Sequence, residues 1–273
     1  MMTAKKIQVV THNGAFHADE VTAIALLQLY GIVKKGQFDI LRTRDIELIN
    51  QGDIVVDVGA LHNVETRRFD HHQIKDGAVS SAGMVWQWIK EQTGQVNPEI
   101  DCFVNAIDKD DCGIEKMGDF SFTHIISAYN DPALFNDEIQ QNAFNDAVNL
   151  AMKFIAHLKK KQTQRKQAGK IIASSEIKAI GNHKVLILTE YASGWKDLVH
   201  GESQYSQVTH VIWFVKEKNH WCIQIPSDKV NSFVMGHPKL QDDDNALFIH
   251  QNGFFGIYAS KEAIFEMLEA QTG

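Results

Sequence analysis

IQVVTHNGAFHADEVTAIALLQLY, residues 7–30, holds three successive patterns. Ile7 to Thr11 is a short apolar run of strand type. A polar loop follows, and from Asp19 to Tyr30 the apolar residues recur at helical spacing. A strand, a loop rich in ligand-type side chains and a helix therefore open the fold. Outward from this unit, Phe38 to Arg42 and Asp53 to Val58 repeat the strand signal. The second of these is a compact Ile54-Val55-Val56 run, which suits a strand buried on both faces of a parallel sheet. The fold class expected is α/β, with a mostly parallel, doubly wound sheet. In such sheets ligands bind beyond the carboxyl ends of the strands, and His12 and Asp57 stand where two strands stop.

Further along, Ser81 to Thr93, Pro98 to Asp108 and Asp137 to roughly Lys166 read as helices, the second opened by a proline that a first turn tolerates. The third carries Ile139, Ala143, Ala147, Ala151, Ile155 and Leu158 as an i, i+4 stripe before the polar stretch Lys159 to Lys170. A domain boundary is placed there, giving a first domain of 1–166 and a second of 167–273. In the second, Lys184 to Thr189, Thr209 to Val215, Trp221 to Ile225 and Ala246 to His250 read as strands and Lys261 to Ala270 as a closing helix, a smaller α+β domain.

The 273 residues are 44% hydrophobic, enough to bury a full core in two domains. With 34 acidic against 27 basic side chains the surface is mildly acidic and offers no broad platform for duplex nucleic acid, so such a partner must be gripped locally. Cys102, Cys112 and Cys222 have no paired spacing, which argues against a disulfide framework or a cysteine zinc site. No secretory signal or membrane-length apolar run is read, and a cytoplasmic location is expected by default.

Four clusters carry chemistry. His12, His17 and Asp19 fall within the loop after the first strand, where Gly14 lets the backbone bend the two imidazoles toward one point. Asp57 ends another strand. Arg67-Arg68-Phe69-Asp70-His71-His72-Gln73 places adjacent histidines beside an aspartate. On a strand these two point opposite ways, so one is expected to be a ligand and the other a substrate contact unless the chain turns. Asp70 is suited to fix an imidazole tautomer. The fourth cluster, Asp108-Lys109-Asp110-Asp111-Cys112-Gly113, follows a helix. Asp111 is the preferred ligand there and Asp108 the second, while aspartates near helix ends also serve as caps. Cys112 reads as a small buried hydrophobe.

In this order the clusters resemble the motifs of the DHH phosphoesterase superfamily. More narrowly, His12-Asn13-Gly14 through Glu20, Asp57-Val58-Gly59, and Arg68 through Gln73 resemble the melanocyte-proliferating-gene family of metal-dependent hydrolases. The resemblance continues through Ile107 to Gly113 and, weakly, into His250 to Phe254. It implies a DHH-like fold and a manganese-dependent hydrolase whose eukaryotic members act as exonucleases on RNA from the 3′ end. It also implies that His12, His17, Asp19, Asp57, His71 and Asp111 hold two metal ions bridged by Asp57, with His72 meeting the phosphate. The chain departs from the superfamily at His17, where many members have an aspartate. It also lacks their glycine-rich histidine motif, for which His250 to Gly256 can stand in.

Oxygen and nitrogen ligands without thiolate favour Mn²⁺, with Mg²⁺, Co²⁺ or Zn²⁺ as alternatives. Two such ions would activate water for in-line attack on phosphorus. His72, Asp70 and Arg68 are the expected catalytic side chains, and Arg44, Arg67, Lys261 and His250 the expected substrate contacts. The expected partner is a short single-stranded nucleic acid or a nucleotide. Trp195, Trp213, Trp221, Phe233, Phe254 and Phe255 are candidate stacking platforms. Of these, Trp195, read as lying in a loop, is the most open to function. Two other readings compete: a mononuclear hydrolase of an amide or ester, and a non-catalytic binding protein that uses metal for stability.

Overall fold

A computed structural model describes residues 5–74, 77–132, 137–201, 203–226, 240 and 243–271; Phe233 lies outside them. The chain divides into two compact units, Met1–Lys160 and Lys161–Gly273.

The first unit is α/β. Strands β1 (Ile7–Thr11), β2 (Phe38–Arg42), β3 (Ile54–Val56), β4 (His62–Asn63) and β5 (Arg68–Phe69) form one sheet in the order β2-β1-β3-β5-β4. The pairs β1·β2, β1·β3 and β3·β5 are parallel, and β4 is an antiparallel edge, so the sheet is mixed. Side chains alternate across it, as a period of two requires. Val9, Ile54 and Val56 join one core with helices α1 (Ala18–Leu29), α3 (Ser81–Thr93) and α4 (Pro98–Asp111), whereas Val10 and Val55 pack with Ile49 of α2 (Ile46–Gln51) on the other face. Register decides where the polar residues fall. Val10 pairs with Val55 and Val56 with Phe69. Continued past the strand ends, the same register sets His12, Asp57 and Asp70 in one row.

Helix α1 has no polar face at its start: every residue from Ala18 to Leu27 is buried, including Asp19 and Glu20. Ionised groups so placed cost several kcal/mol each unless a partner compensates them.

The division between the units falls inside α6 (Asp137–Ala173), between Lys160 and Lys161. The lysine-rich stretch suggests a helix end, yet the helix runs on because Ala168, Ile171 and Ile172 bury themselves in the second unit's core. That unit holds a six-stranded sheet of β6 (Glu176–Ile180), β7 (His183–Ile187), β8 (His210–Val215), β9 (His220–Gln224), β10 (Ala246–Ile249) and β11 (Phe255–Tyr258), in the order β10-β11-β9-β8-β7-β6. Among the described residues only the β7·β8 pair is parallel. One face packs on α7 (Trp195–Gly201), the other on α8 (Lys261–Ala270). Trp195 is 2% exposed and opens α7 inside the core. Its expected role as an open stacking platform is therefore corrected: the Ser193-Gly194 signal marks the turn before a short helix and not a free loop.

Candidate metal centre

The loop after β1 is pinned from two sides. Asn130 clamps Phe16, accepting from its N–H at 2.8 Å and donating to its carbonyl at 2.8 Å. Arg42 donates to the Gly14 carbonyl at 2.6 Å, its guanidinium lying 4.7 Å from the centre of the Phe144 ring. Gly14 itself has φ +85°, where a side chain would be strained. So held, the loop turns His12 inward and leaves His17 exposed at the start of α1.

His12 Nε2 lies 3.0 Å from Glu20 Oε1 and 3.3 Å from Asp57 Oδ2. His71 Nε2 lies 3.1 Å from Asp111 Oδ2 and 3.4 Å from Asp57 Oδ1. Each of these imidazole nitrogens thus faces two carboxylate oxygens, and Asp57 turns Oδ2 to His12 and Oδ1 to His71, with His72 Nδ1 3.6 Å from the latter oxygen. A single N–H satisfies one in-line acceptor. Two buried carboxylate oxygens, Asp19 Oδ1 and Glu20 Oε2, have no hydrogen-bond donor among the described residues, and Asp57 Oδ1 and Asp111 Oδ2 have only histidine ring nitrogens beside them. Ligand atoms of His12, His17, Glu20 and Asp57 lie within 4.8 Å of one another, as do those of Asp57, His71 and His72 and those of His71, Asp111 and Cys112. Buried, donor-poor oxygens converging with imidazole nitrogens are the donor set of a divalent cation, so the residues fit the metals that the motifs imply.

The electrostatics agree. Burial alone would lower the His12 imidazole, but hydrogen bonding to Asp57 and Glu20 pushes it up to about 10. Hydrogen bonding to Asp111 and Asp57 pushes His71 up to about 10 against its burial. Burial would raise Asp57, yet His12 and His71 hold it below the usual carboxylate range. Asp19 is pushed well above that range by burial and by the neighbouring carboxylates Glu20, Asp57 and Asp111. Without a cation, protons do the neutralising.

His71 and His72 can share the site because β5 ends at Phe69 and the chain then turns, the Ile74 N–H donating to the His71 carbonyl at 2.8 Å. The two rings are 4.6 Å apart. Asp70 grips His72 and not His71: Oδ1 lies 2.7 Å from His72 Nδ1, and Oδ2 accepts from the Ala60 N–H at 2.6 Å. His72 is 62% exposed and lines a cleft of about 600 Å³ together with His17, Asp19, Asp57, His71 and Asp111.

Several expected residues of the first unit are not brought there. Asp108 Oδ1 accepts from the N–H of Ser80 at 3.0 Å and its Oγ at 2.7 Å, so this carboxylate is spent on the start of α3. Arg68 donates to the carbonyls of Thr66, Asn50 and Gly52. Asn50 and Gly52 precede β3, which puts its guanidinium at the amino end of the sheet, away from the His12 row. Arg67 lies over Trp88 at 5.9 Å, and Arg44 is exposed; neither lines the cleft. His250 and Lys261 belong to the second unit. There the His250 Nδ1 accepts from the Asn252 N–H at 3.1 Å, and Lys261 lies over Trp221 at 5.6 Å.

Sequence reasoning missed Glu20, Ser81 and Lys116. Glu20 carries a signal, three residues after the helix-capping His17, but that signal indicates a cap and not burial. Ser81 donates to Asp19 Oδ2 at 2.7 Å from a position 62 residues away, with no local signature. Among the described residues lining the cleft, Lys116 is the one lysine or arginine.

The sequence matches the family MYG1_exonuc, described as "Uncharacterised protein family (UPF0160)", over residues 8–271. The chain belongs to the MYG1 exonuclease family. This is the family that the ordered histidine and aspartate motifs resemble. The MYG1 protein of Chlamydia pneumoniae is 39% identical over 159 residues, covering 55% of this chain and 53% of that protein. The MYG1 exonuclease of Homo sapiens is 26% identical over 322 residues, covering 95% and 84%. The chain spans about half the length of the chlamydial relatives it matches, at 53%, 43% and 43%. RecJ of Thermus thermophilus, solved with Mg²⁺, aligns with 97% of this chain and 48% of its own at 12% identity and a TM-score of 0.27, a likeness that carries no argument. No described helix of this MYG1-family chain is long and apolar enough to cross a membrane.

Proposed function

We propose that this chain is a metal-dependent phosphodiesterase with a DHH-like catalytic unit, acting as an exonuclease on short single-stranded RNA or related oligonucleotides. One observation carries the reading: Asp57 offers one oxygen to each of two imidazole–carboxylate groups, the arrangement that a pair of cations with a shared ligand requires. His12, His17, Asp19 and Asp57 would hold one ion, and His71, Asp111 and Asp57 the other, with Mn²⁺ the preferred metal. When bound, such ions lower the pKa of water and neutralise charge that develops during in-line attack on phosphorus.

The chain's own side chains supply the rest. Ser81 fixes Asp19 by one oxygen and leaves the other to the cleft. Asp70 holds His72 by Nδ1, which frees Nε2 to face the phosphate and exchange a proton with the departing oxygen. Lys116 and His124 stand on the wall of the same cleft and answer substrate phosphate charge in place of Arg44, Arg67 and Arg68. The loop bearing Lys116 is held by the Met117 N–H donating to Asp110 Oδ1 at 3.0 Å.

The test is hydrolysis of an end-labelled single-stranded RNA with Mn²⁺, run beside EDTA and Asp57→Asn controls. Stepwise shortening that both controls abolish is expected. An activity indifferent to EDTA would overturn the proposal.

A further inference from the structure

Glu20 is the most deeply buried charged group whose burial the motif reading leaves without a purpose. Its exposure is 0%, its Oε1 lies 3.0 Å from His12 Nε2, and its Oε2 has no hydrogen-bond partner among the described residues. We infer that Glu20 is itself a metal ligand, joining His12, His17, Asp19 and Asp57 in the first of the two cation sites. The inference rests on the two-cation reading above and adds to it a carboxylate that the motifs assign to no ion.

Two observations support it. In an octahedron with metal–ligand bonds of roughly 2.1 Å, neighbouring ligand atoms are about 3 Å apart. Glu20 Oε1, His12 Nε2 and Asp57 Oδ2 follow one another at 3.0 Å and 3.3 Å, and with a ring nitrogen of His17 they fit within one 4.8 Å set. The second is charge. Besides two neutral imidazoles this site draws on Asp57, whose other oxygen faces His71, and on Asp19, one of whose oxygens is taken by Ser81. Glu20 adds a carboxylate that faces no histidine of the second site and whose Oε2 has no hydrogen-bond partner among the described residues.

Glu20 also has a structural use, since Oε1 accepts the His17 N–H at 2.9 Å as the return arm of a capping box. A cap needs one carbonyl-type oxygen and no charge, and it works equally well at a helix start exposed to water. Capping therefore accounts for Oε1 but not for a carboxylate buried whole beside two other acids.

Two substitutions separate the roles. Glu20→Gln keeps an oxygen for the His17 N–H and removes the charge. Glu20→Asp keeps the charge and shortens the reach to that N–H. Full-length protein is stripped with chelator and titrated with Mn²⁺ alone by calorimetry, with thermal melting of the metal-free forms alongside. Wild type is expected to take up two ions. Glu20→Gln should weaken one of them at least tenfold while its metal-free form still melts in a single cooperative transition. Glu20→Asp should lose melting temperature and retain the second ion better than Glu20→Gln. Two ions bound by Glu20→Gln at wild-type affinity would overturn the ligand role and leave the two-cation reading intact. A wild type that binds fewer than two would overturn both.

Discussion

Asp108 and Asp111 lie one helical turn apart near the end of α4, and replacing each by alanine should fail in opposite ways. Asp108→Ala strands the buried N–H and Oγ–H of Ser80, which now donate at 3.0 Å and 2.7 Å. An unsatisfied buried donor costs about 1–3 kcal/mol. The hydroxyl can rotate toward another acceptor, and the buried carboxyl is already pushed up by desolvation. The net loss is therefore expected near the low end for two donors, about 3 kcal/mol. In a unit of this size that corresponds to a fall in melting temperature of roughly 6–12 °C. Mn²⁺ content should be unchanged. Asp111 accepts no backbone N–H among the described bonds, and its side chain is 18% exposed. Asp111→Ala should leave the metal-free melting temperature within about 3 °C, a change of under about 1 kcal/mol. It should remove one ion of the pair and abolish hydrolysis. Melting curves and metal analysis on both variants decide the matter. If Asp108→Ala melts like wild type and loses metal, the assignment of Asp108 to the start of α3 is refuted.

Lys116→Ala should raise KM several-fold on short RNA and leave kcat within about twofold, since it removes a charge contact outside the reacting atoms; a kcat effect with KM unchanged would contradict its place on the substrate wall. The imidazoles of His12 and His71, pushed up to about 10 from 6.5, stabilise metal-free protein fully below pH 6.5 and lose that contribution as pH rises through 10. Melting temperature of stripped protein should fall across that window. Mn²⁺ added at pH 8 should displace about two protons, visible as binding heats that vary with the ionisation enthalpy of the buffer. Heats independent of buffer would show that the imidazoles are not protonated ligands.

Periodicity made β1, α1, β2 and β3 legible because each is long or uniformly apolar enough to show its repeat. The row of His12, Asp57 and Asp70 was legible in part, since two of the three stand where an apolar run stops. What escaped was short or distant. Helix α2 is six residues and buries one side chain, Ile49, too little to form a stripe. Asp108 and Asp111 are indistinguishable by type, and which one turns inward depends on Ser80, 28 residues earlier. Arg68 stands beside Asp70 and His71 in sequence, but β-strand alternation sends Phe69 into the core and Arg68 to the other face, where it reaches back to the Asn50 and Gly52 carbonyls before β3. Glu20 was in plain view as a capping residue, and its burial comes from α3, α4 and α5 (Phe122–Ser127), which crowd α1.

Asp57 holds φ at +55°, in the left-handed region that few side chains tolerate. Asparagine and glycine accept that backbone but bring no charge; glutamate brings the charge but suits the backbone poorly. The residue is thus caught between two requirements that no second amino acid meets, and drift at this position has no neutral intermediate. Asparagine is a single base change away, suits that backbone, and should yield a chain that still folds. Natural or laboratory variation here should accordingly accumulate well-folded decoys, able to occupy substrate without consuming it.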